Sequence, residues 1–239
     1  MSEAIKKPER LIGFSSGCLY QTHKALSLDT IEVFRQSGCN AIELMFHGVE
    51  DIDDFAALTA SDVDGFDFVS VHAPIYRGPH QIEAYGESLR MISNKLGELN
   101  VQSVVVHPDM FEGFQILKRY NLPYAIENMD DHKKSCRNVD DLRKVFGKIG
   151  ASFVLDVNHV YTNDKTFVLE QDLLAAFGDK LSEIHLSGFD TFHDPLYKTK
   201  QDYFADRIKK LSAPIIIESV LQSPDEIGLE LEYVRNLLR

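Results

Sequence analysis

Successive apolar runs in the sequence close on side chains that can bind a cation or carry a proton. VSVHAP ends on His72, VVVHPD on His107 and Asp109, AIENM on Glu127 and Asn128, VLDVNH on Asp156 and His159, EIHLSG on His185, and IIIES on Glu218. A lone histidine after an apolar run is most often a hydrogen-bonded core or rim residue. Carboxylates and imidazoles arriving together at the ends of successive runs are different, because ionisable groups are costly to bury unless paired or coordinated. Such a set points to divalent metal. Mixed carboxylate and imidazole donors suit Zn²⁺, Mn²⁺, Co²⁺ or Fe²⁺, whereas an all-oxygen set would suit Mg²⁺ or Ca²⁺. The groups that gather in this way are His72, His107, Glu127, Asp156, His159, His185 and Glu218.

These runs read as strands: Leu11 to Ser15, Ala41 to Phe46, Phe68 to His72, Ser103 to His107, Tyr124 to Glu127, Ser152 to Asp156, Glu183 to Leu186 and Pro214 to Glu218. Segments such as SVVV, FVL and PIIIE are apolar almost throughout, as in a parallel sheet covered on both faces. Between them lie stretches with helical spacing: Leu28 to Ser37, Ile82 to Leu99, Val139 to Phe146, Thr166 to Phe177, Gln201 to Leu211 and Pro224 to Leu238. Ser27, Asn138 and Ser223 stand where N-caps belong. The fourth helix, near Glu112 to Tyr120, has room only for an abbreviated form. Regular βα alternation without GxGxxG or GxxxxGK[ST], and polar groups gathered at the strand ends, favour a closed (β/α)8 TIM barrel over an open doubly wound sheet.

At 239 residues and 44% hydrophobic content, the chain fits one such domain, 1–239. A formal charge of −12 excludes a generally basic surface of the kind that binds nucleic acid, so only a local patch or bound cations would serve there. Three separated cysteines, Cys18, Cys39 and Cys136, fit reduced thiols and a cytoplasmic location. The N-terminus has no secretory pattern and no segment approaches the roughly 20 apolar residues of a membrane span. A homo-oligomer is left open.

The strand ends resemble the xylose isomerase-like TIM-barrel superfamily, which includes sugar isomerases and epimerases as well as endonuclease IV-type apurinic endonucleases. In the isomerase and epimerase branch one metal is held by Glu, Asp, His and Glu from strands five to eight, which fall on Glu127, Asp156, His185 and Glu218. The endonuclease branch adds histidines on strands three and four and a DxxH on strand six, matched by His72, His107 and Asp156 with His159. It also carries a DxH and a Leu-Gly-x-Gly segment after strand seven. Here the loop reads SGFDTFHDPLYKTK: His193 and Leu196 match, but Thr191 replaces the aspartate and the glycines are missing. The resemblance therefore implies one to two ions, with Thr191 standing against a third.

Two activities follow from it. The first is isomerisation or epimerisation of a sugar or similar small hydroxy-carbonyl compound, with a metal chelating adjacent substrate oxygens and stabilising an enediolate. Glu127 and Glu218 would then be the acid/base pair on opposite sides of the substrate, and His159 would bind a hydroxyl. The alternative is phosphodiester hydrolysis at abasic DNA, in which His72, His107, His159 and His193 all become ligands. Tyr76 and Arg77 after strand three are the residues available to insert into or contact a duplex, while Lys133, Lys134, Arg137, Lys198 and Lys200 read as solvated loop charge. Glu43 and His47 stand near enough to the end of strand two to line the pocket. Phe14, Phe46, Phe111 and Phe189 would form an apolar wall or cap the core. Cys18 has no neighbouring base, and His23, His80 and His132 read as solvated loop residues.

Overall fold

β-Branched runs favour extended backbone because their stiff side chains pack well on a pleated surface. The chain places such runs in eight parallel strands: β1 Ile12–Ser15, β2 Ala41–Met45, β3 Phe68–His72, β4 Val101–Val106, β5 Tyr124–Glu127, β6 Ser152–Asp156, β7 Leu181–Leu186 and β8 Ile215–Ile217. The structure is a computed structural model describing residues 10–110 and 114–239. Each strand pairs with its sequence neighbour, and β8 returns to β1, closing the barrel. Phe111 lies outside the described residues.

The helices among the described residues are α1 Leu28–Gln36, α2 Ile52–Ala57, α3 Ala60–Val63, α4 Ile82–Lys95, α5 Val139–Phe146, α6 Val157–Asn163, α7 Val168–Phe177, α8 Leu196–Thr199, α9 Asp202–Ile208 and α10 Asp225–Leu237. Ser27 and Asn138 cap α1 and α5 as expected, accepting from the Thr30 and Asp141 amides at 3.3 and 3.0 Å. Ser223 does not cap α10 with its side chain. Pro224 already has helical dihedrals and takes the N-cap position, so only the Ser223 carbonyl is used, accepting from Glu226 N at 3.1 Å. Between β4 and β5 the expected abbreviation takes the form of 3-10 turns at Pro108–Met110 and Leu117–Arg119.

The main core fills the space between strands and helices, with Phe34, Phe55, Leu89, Leu142, Leu173, Phe204 and Val234 supplied by the helices. Inside the barrel, apolar packing is confined to two small groups, Ala41 with Phe68 and Ile216, and Val105 with Ala125 and Val154. The rest of the interior is polar. Ser70 Oγ on β3 donates to Glu183 Oε1 on β7 at 2.7 Å, a bond that must cross the barrel because the strands are not neighbours.

Two features hold the barrel in shape. Glu230 of α10 accepts from Ser219 Oγ at 2.6 Å and from the Leu196 and Tyr197 amides at 2.8 and 2.9 Å, tying the end of β8 to the start of α8. Gly13 lets β1 approach β2: a Cβ there would stand 1.6 Å from the Ala41 carbonyl oxygen. Backbone on both sides leaves no flexible atom to yield. Gly13→Ala is therefore expected to destabilise the protein by more than about 3 kcal/mol or to prevent soluble expression. Urea unfolding followed by circular dichroism checks this, and a midpoint near that of the unaltered protein would refute it.

Candidate metal centre

The carboxylate of Glu127, at the end of β5, is 1% exposed and meets imidazoles from four other elements. Oε1 lies 3.2 Å from His185 Nδ1 and 3.4 Å from His159 Nδ1, while Oε2 lies 2.9 Å from His107 Nε2 and 3.7 Å from His72 Nε2. Despite these distances, Oε2 has no partner in hydrogen-bonding geometry. Burial favours a neutral carboxyl, but His107 and His185 outweigh it and hold Glu127 well below the usual carboxylate range.

Strand register brings the quartet together. Asp156 pairs with His185 across β6 and β7, and the Glu218 amide donates to the Leu186 carbonyl at 3.0 Å, setting Glu218 beside them. His185 Nδ1 is 3.3 Å from Glu218 Oε1, so one ring nitrogen faces two carboxylates. Asp156 also caps α6: Oδ1 accepts from the His159 amide at 2.7 Å, leaving Oδ2 buried without a partner. Asn128 brackets the Asp156 backbone, donating to its carbonyl at 3.0 Å and accepting from its amide at 2.9 Å. Glu127, Asp156, His185 and Glu218 each offer a ligand atom within 4.8 Å of the others. Unpartnered buried oxygens facing a mixed nitrogen and oxygen donor set fit a divalent ion.

Without an ion, charge balance falls to protons. Burial lowers the affinity of His185 for a proton, but Glu218, Glu43 and Glu127 outweigh it and hold it well above the ordinary imidazole range. Burial pushes Asp156 well up, with His159 opposing. Glu218 is pulled down to about 2 because His185 overcomes its burial. An entering cation would displace these protons.

His72, His107 and Glu127 form an adjoining donor group. His72 Nδ1 lies 2.9 Å from the Ala73 carbonyl, which can only accept, so that nitrogen carries a proton and Nε2 is the one turned to the donor group. Nε2 of His72 and of His107 are 3.1 Å apart, facing Glu127 Oε2. Burial opposes charge on His72, yet Glu127 and Glu43 raise it to about 9; His107 is lowered by burial and by His72.

His159 follows the same logic, donating from Nδ1 to the Asn128 carbonyl at 2.8 Å and turning Nε2 towards Asp130, 3.8 Å away. Both residues line the cavity above the quartet, whereas Asp156 lies beneath it. The cavity is about 440 Å³, with Met45, Ile75, Tyr20, Phe192 and Val220 among its walls. His193 reaches it, with Nδ1 2.9 Å from Ser187 Oγ and 4.0 Å from Glu218 Oε2; burial lowers its pKa to about 4. At Thr191 there is no carboxylate to join it. The nearby Asp194 is occupied in accepting from the amides of Asp190, Thr191 and Phe192 at 2.8, 2.7 and 3.0 Å.

His47 lines the cavity, but Glu43 does not: it is fully buried below, with Oε2 3.4 Å from His185 Nε2. Tyr76 is not available to enter a duplex, being 8% exposed with its ring edge-on to Tyr85 at 5.5 Å. Phe14 and Phe46 are core, and Phe189 packs against it. Cys18 is inert, its thiol donating to the Ile217 carbonyl at 3.1 Å and pushed well up by burial. Lys198 pairs with Glu226 at 2.9 Å and Lys200 sits over the Tyr233 ring at 4.2 Å, while Lys133 lines the cavity 3.8 Å from Asp109. His80 and His132 are exposed and His23 is half-buried. Sequence reading missed Glu183 and Asp130. Glu183 was detectable as an acid two residues before His185, hence on the same face of β7.

No family model matches the sequence, and no curated protein matches it. Solved structures do match. A D-tagatose 3-epimerase-like protein superposes with a TM-score of 0.71 at 16% identity, covering 95% of this chain and 96% of that one. D-allulose 3-epimerase from Methylomonas sp. gives 0.68 at 16% identity, over 96% of this chain and 99% of that one. Endonuclease IV from Thermus thermophilus gives 0.66 at 17%, over 95% and 98%. At these identities the likeness establishes the fold alone, a closed barrel of eight parallel strands. Among the described residues, no helix is long and apolar enough to cross a membrane.

Zn²⁺ added to chelator-treated protein at about 100-fold over its dissociation constant is expected to add about 2.7 kcal/mol of stability. For a chain of this size that is a rise of about 5–10 °C in Tm by scanning calorimetry. Asp156→Asn should remove most of the rise; an unaltered protein indifferent to zinc would sink the metal assignment.

Proposed function

We propose that the protein is a divalent-metal-dependent isomerase or epimerase of a sugar or related small hydroxy-carbonyl compound. The observation that carries this reading is the pairing of Glu127 and Glu218 in one small cavity, each with Oε1 within 3.3 Å of His185 Nδ1. Glu127, Asp156, His185 and Glu218 would hold the ion, drawn from Zn²⁺, Mn²⁺, Co²⁺ or Fe²⁺. When bound, it supplies Lewis-acid polarisation of a substrate carbonyl.

The protein's own groups divide the remaining work. Both oxygens of Glu127 are already surrounded by imidazoles, whereas Glu218 Oε2 has only His193 nearby, at 4.0 Å. Glu218 Oε2 is therefore the atom that takes the proton from the carbon beside the carbonyl. Glu127 is the opposed carboxylate that returns one. His159 Nε2, its partner nitrogen committed to the Asn128 carbonyl, accepts from a substrate hydroxyl. Tyr20, Met45, Ile75, Phe192 and Val220 shield the reacting carbon from water.

A second reading, metal-assisted hydrolysis of a phosphodiester at abasic DNA, is favoured by one observation. His72 and His107 converge on Glu127 Oε2 as a further donor group, sufficient for a second ion. The buried Tyr76 and the paired loop lysines weigh against it.

In heavy water, the metal-loaded protein should introduce deuterium beside the carbonyl of at least one ketose or aldose in a panel, read by mass spectrometry. Glu218→Gln should slow the exchange by about 10²–10⁴-fold, the usual contribution of a positioned acid or base. Cleavage of abasic duplex DNA by the unaltered protein, abolished in Glu127→Gln and without any deuterium incorporation, would replace this reading with the second.

A further inference from the structure

Beneath the quartet, inside the barrel, lies a further group of donors, of which the activity proposed above uses only His185. Glu43 on β2, Glu183 and His185 on β7 are all fully buried, and each offers a ligand atom within 4.8 Å of the others. They cannot be reached from the cavity, which Glu43 and Glu183 do not line.

The polar atoms here are unusually short of partners. Both oxygens of Glu43, Oε2 of Glu183 and Nε2 of His185 are buried with no hydrogen bond. Ser70 Oγ satisfies only Glu183 Oε1, at 2.7 Å. Buried polar groups are nearly always paired, so four orphaned atoms converging on one point need an explanation.

Spacing supplies it. His185 Nε2 lies 3.4 Å from Glu43 Oε2 and 3.8 Å from Glu183 Oε1. Those separations are long for charge-assisted hydrogen bonds, which close to about 2.7–2.9 Å. The 3.4 Å separation suits atoms sharing a tetrahedral ion, because two ligands each about 2.0–2.2 Å from a metal stand about 3.3–3.6 Å apart, and the 3.8 Å one lies just beyond that range. The imidazole is also turned for the purpose: Nδ1 faces Glu127 and Glu218 at the mouth, and Nε2 faces Glu43 and Glu183 in the interior.

We propose that Glu43, Glu183 and His185 Nε2 bind a structural divalent cation of the zinc type inside the barrel, below the centre at the mouth. Glu43, with both oxygens free, can bind through either or both, and Ser70 orients Glu183 from behind. Binding removes the Nε2 proton of His185 to solvent. Where the mouth centre also took an ion through Nδ1, that proton too would leave and His185 would be shared between the two sites, a feature that rests on the metal reading of the quartet. The interior ion itself needs only Glu43, Glu183 and Nε2. Because no opening leads there, the ion enters as the chain folds and leaves only when it unfolds.

The test uses the full chain produced with Zn²⁺. An anomalous difference map at the zinc edge should show a peak between Glu43, Glu183 and His185, separate from any at the mouth. A peak at the mouth alone overturns the interior site and leaves the quartet standing; an interior peak alone does the reverse, and no peak overturns both. In solution, exhaustive dialysis of native protein against a chelator should leave one equivalent of zinc, released in guanidinium. Glu43→Gln with Glu183→Gln should retain none, with unchanged far-UV circular dichroism. Where that pair does not fold, Glu43→Gln alone should lose retained zinc at least tenfold faster. Full stripping of the native unaltered protein, or equal retention in the variants, overturns the proposal.

Discussion

The structure turns on a buried carboxylate held among imidazoles. Glu127 is placed where water cannot solvate it, and His72, His107, His159 and His185 surround it from four directions. A lone carboxylate so buried would be protonated, and lone imidazoles would be neutral. Together they hold one another in ionised or metal-ready forms. Because the contributing strands are spread around the barrel, the arrangement exists only when the sheet closes. Barrel closure at Gly13 and charge balance at Glu127 are therefore parts of one construction.

That dependence explains why so much was legible beforehand. β3, β5 and β6 begin and end where the apolar runs place them, and His72, Glu127 and Asp156 sit on their last residues. Parallel strands buried on both faces leave a strong imprint, and a titratable group ending each run is conspicuous. Less was visible where structure depends on tertiary contact. The short helices α2, α3, α6 and α8 have too few residues for a periodic signal. The helix expected over Ile82 to Leu99 stops at Lys95, and Asn100 turns into the left-handed region before β4. Tyr76 looked available because its loop is polar, yet its ring packs on Tyr85, a contact no local pattern announces.

The site was legible in its members but not in its depth. Sequence groups the strand-end residues together, whereas the fold layers them. His159 and His193 border the cavity, Asp156 and His185 form the floor, and Glu43 and Glu183 lie below. Layering follows from parity along each strand, since residues two apart point the same way at successive heights. The cavity is thus faced by the upper side chains, while the lower ones reach His185 from beneath. Structures of a D-allulose 3-epimerase and of endonuclease IV share this scaffold, so the fold by itself does not choose between such activities.

The reciprocal amide bracket between Asn128 and Asp156 gives the mouth a fixed gauge. Two bonds to the Asp156 backbone tie the end of β6 to the end of β5, fixing the main chain from which the Glu127 and Asp156 side chains leave. In the metal reading proposed above, selectivity among ions would thus draw on a residue outside the donor set. Relaxing position 128 would then alter that selectivity with every proposed ligand kept in place.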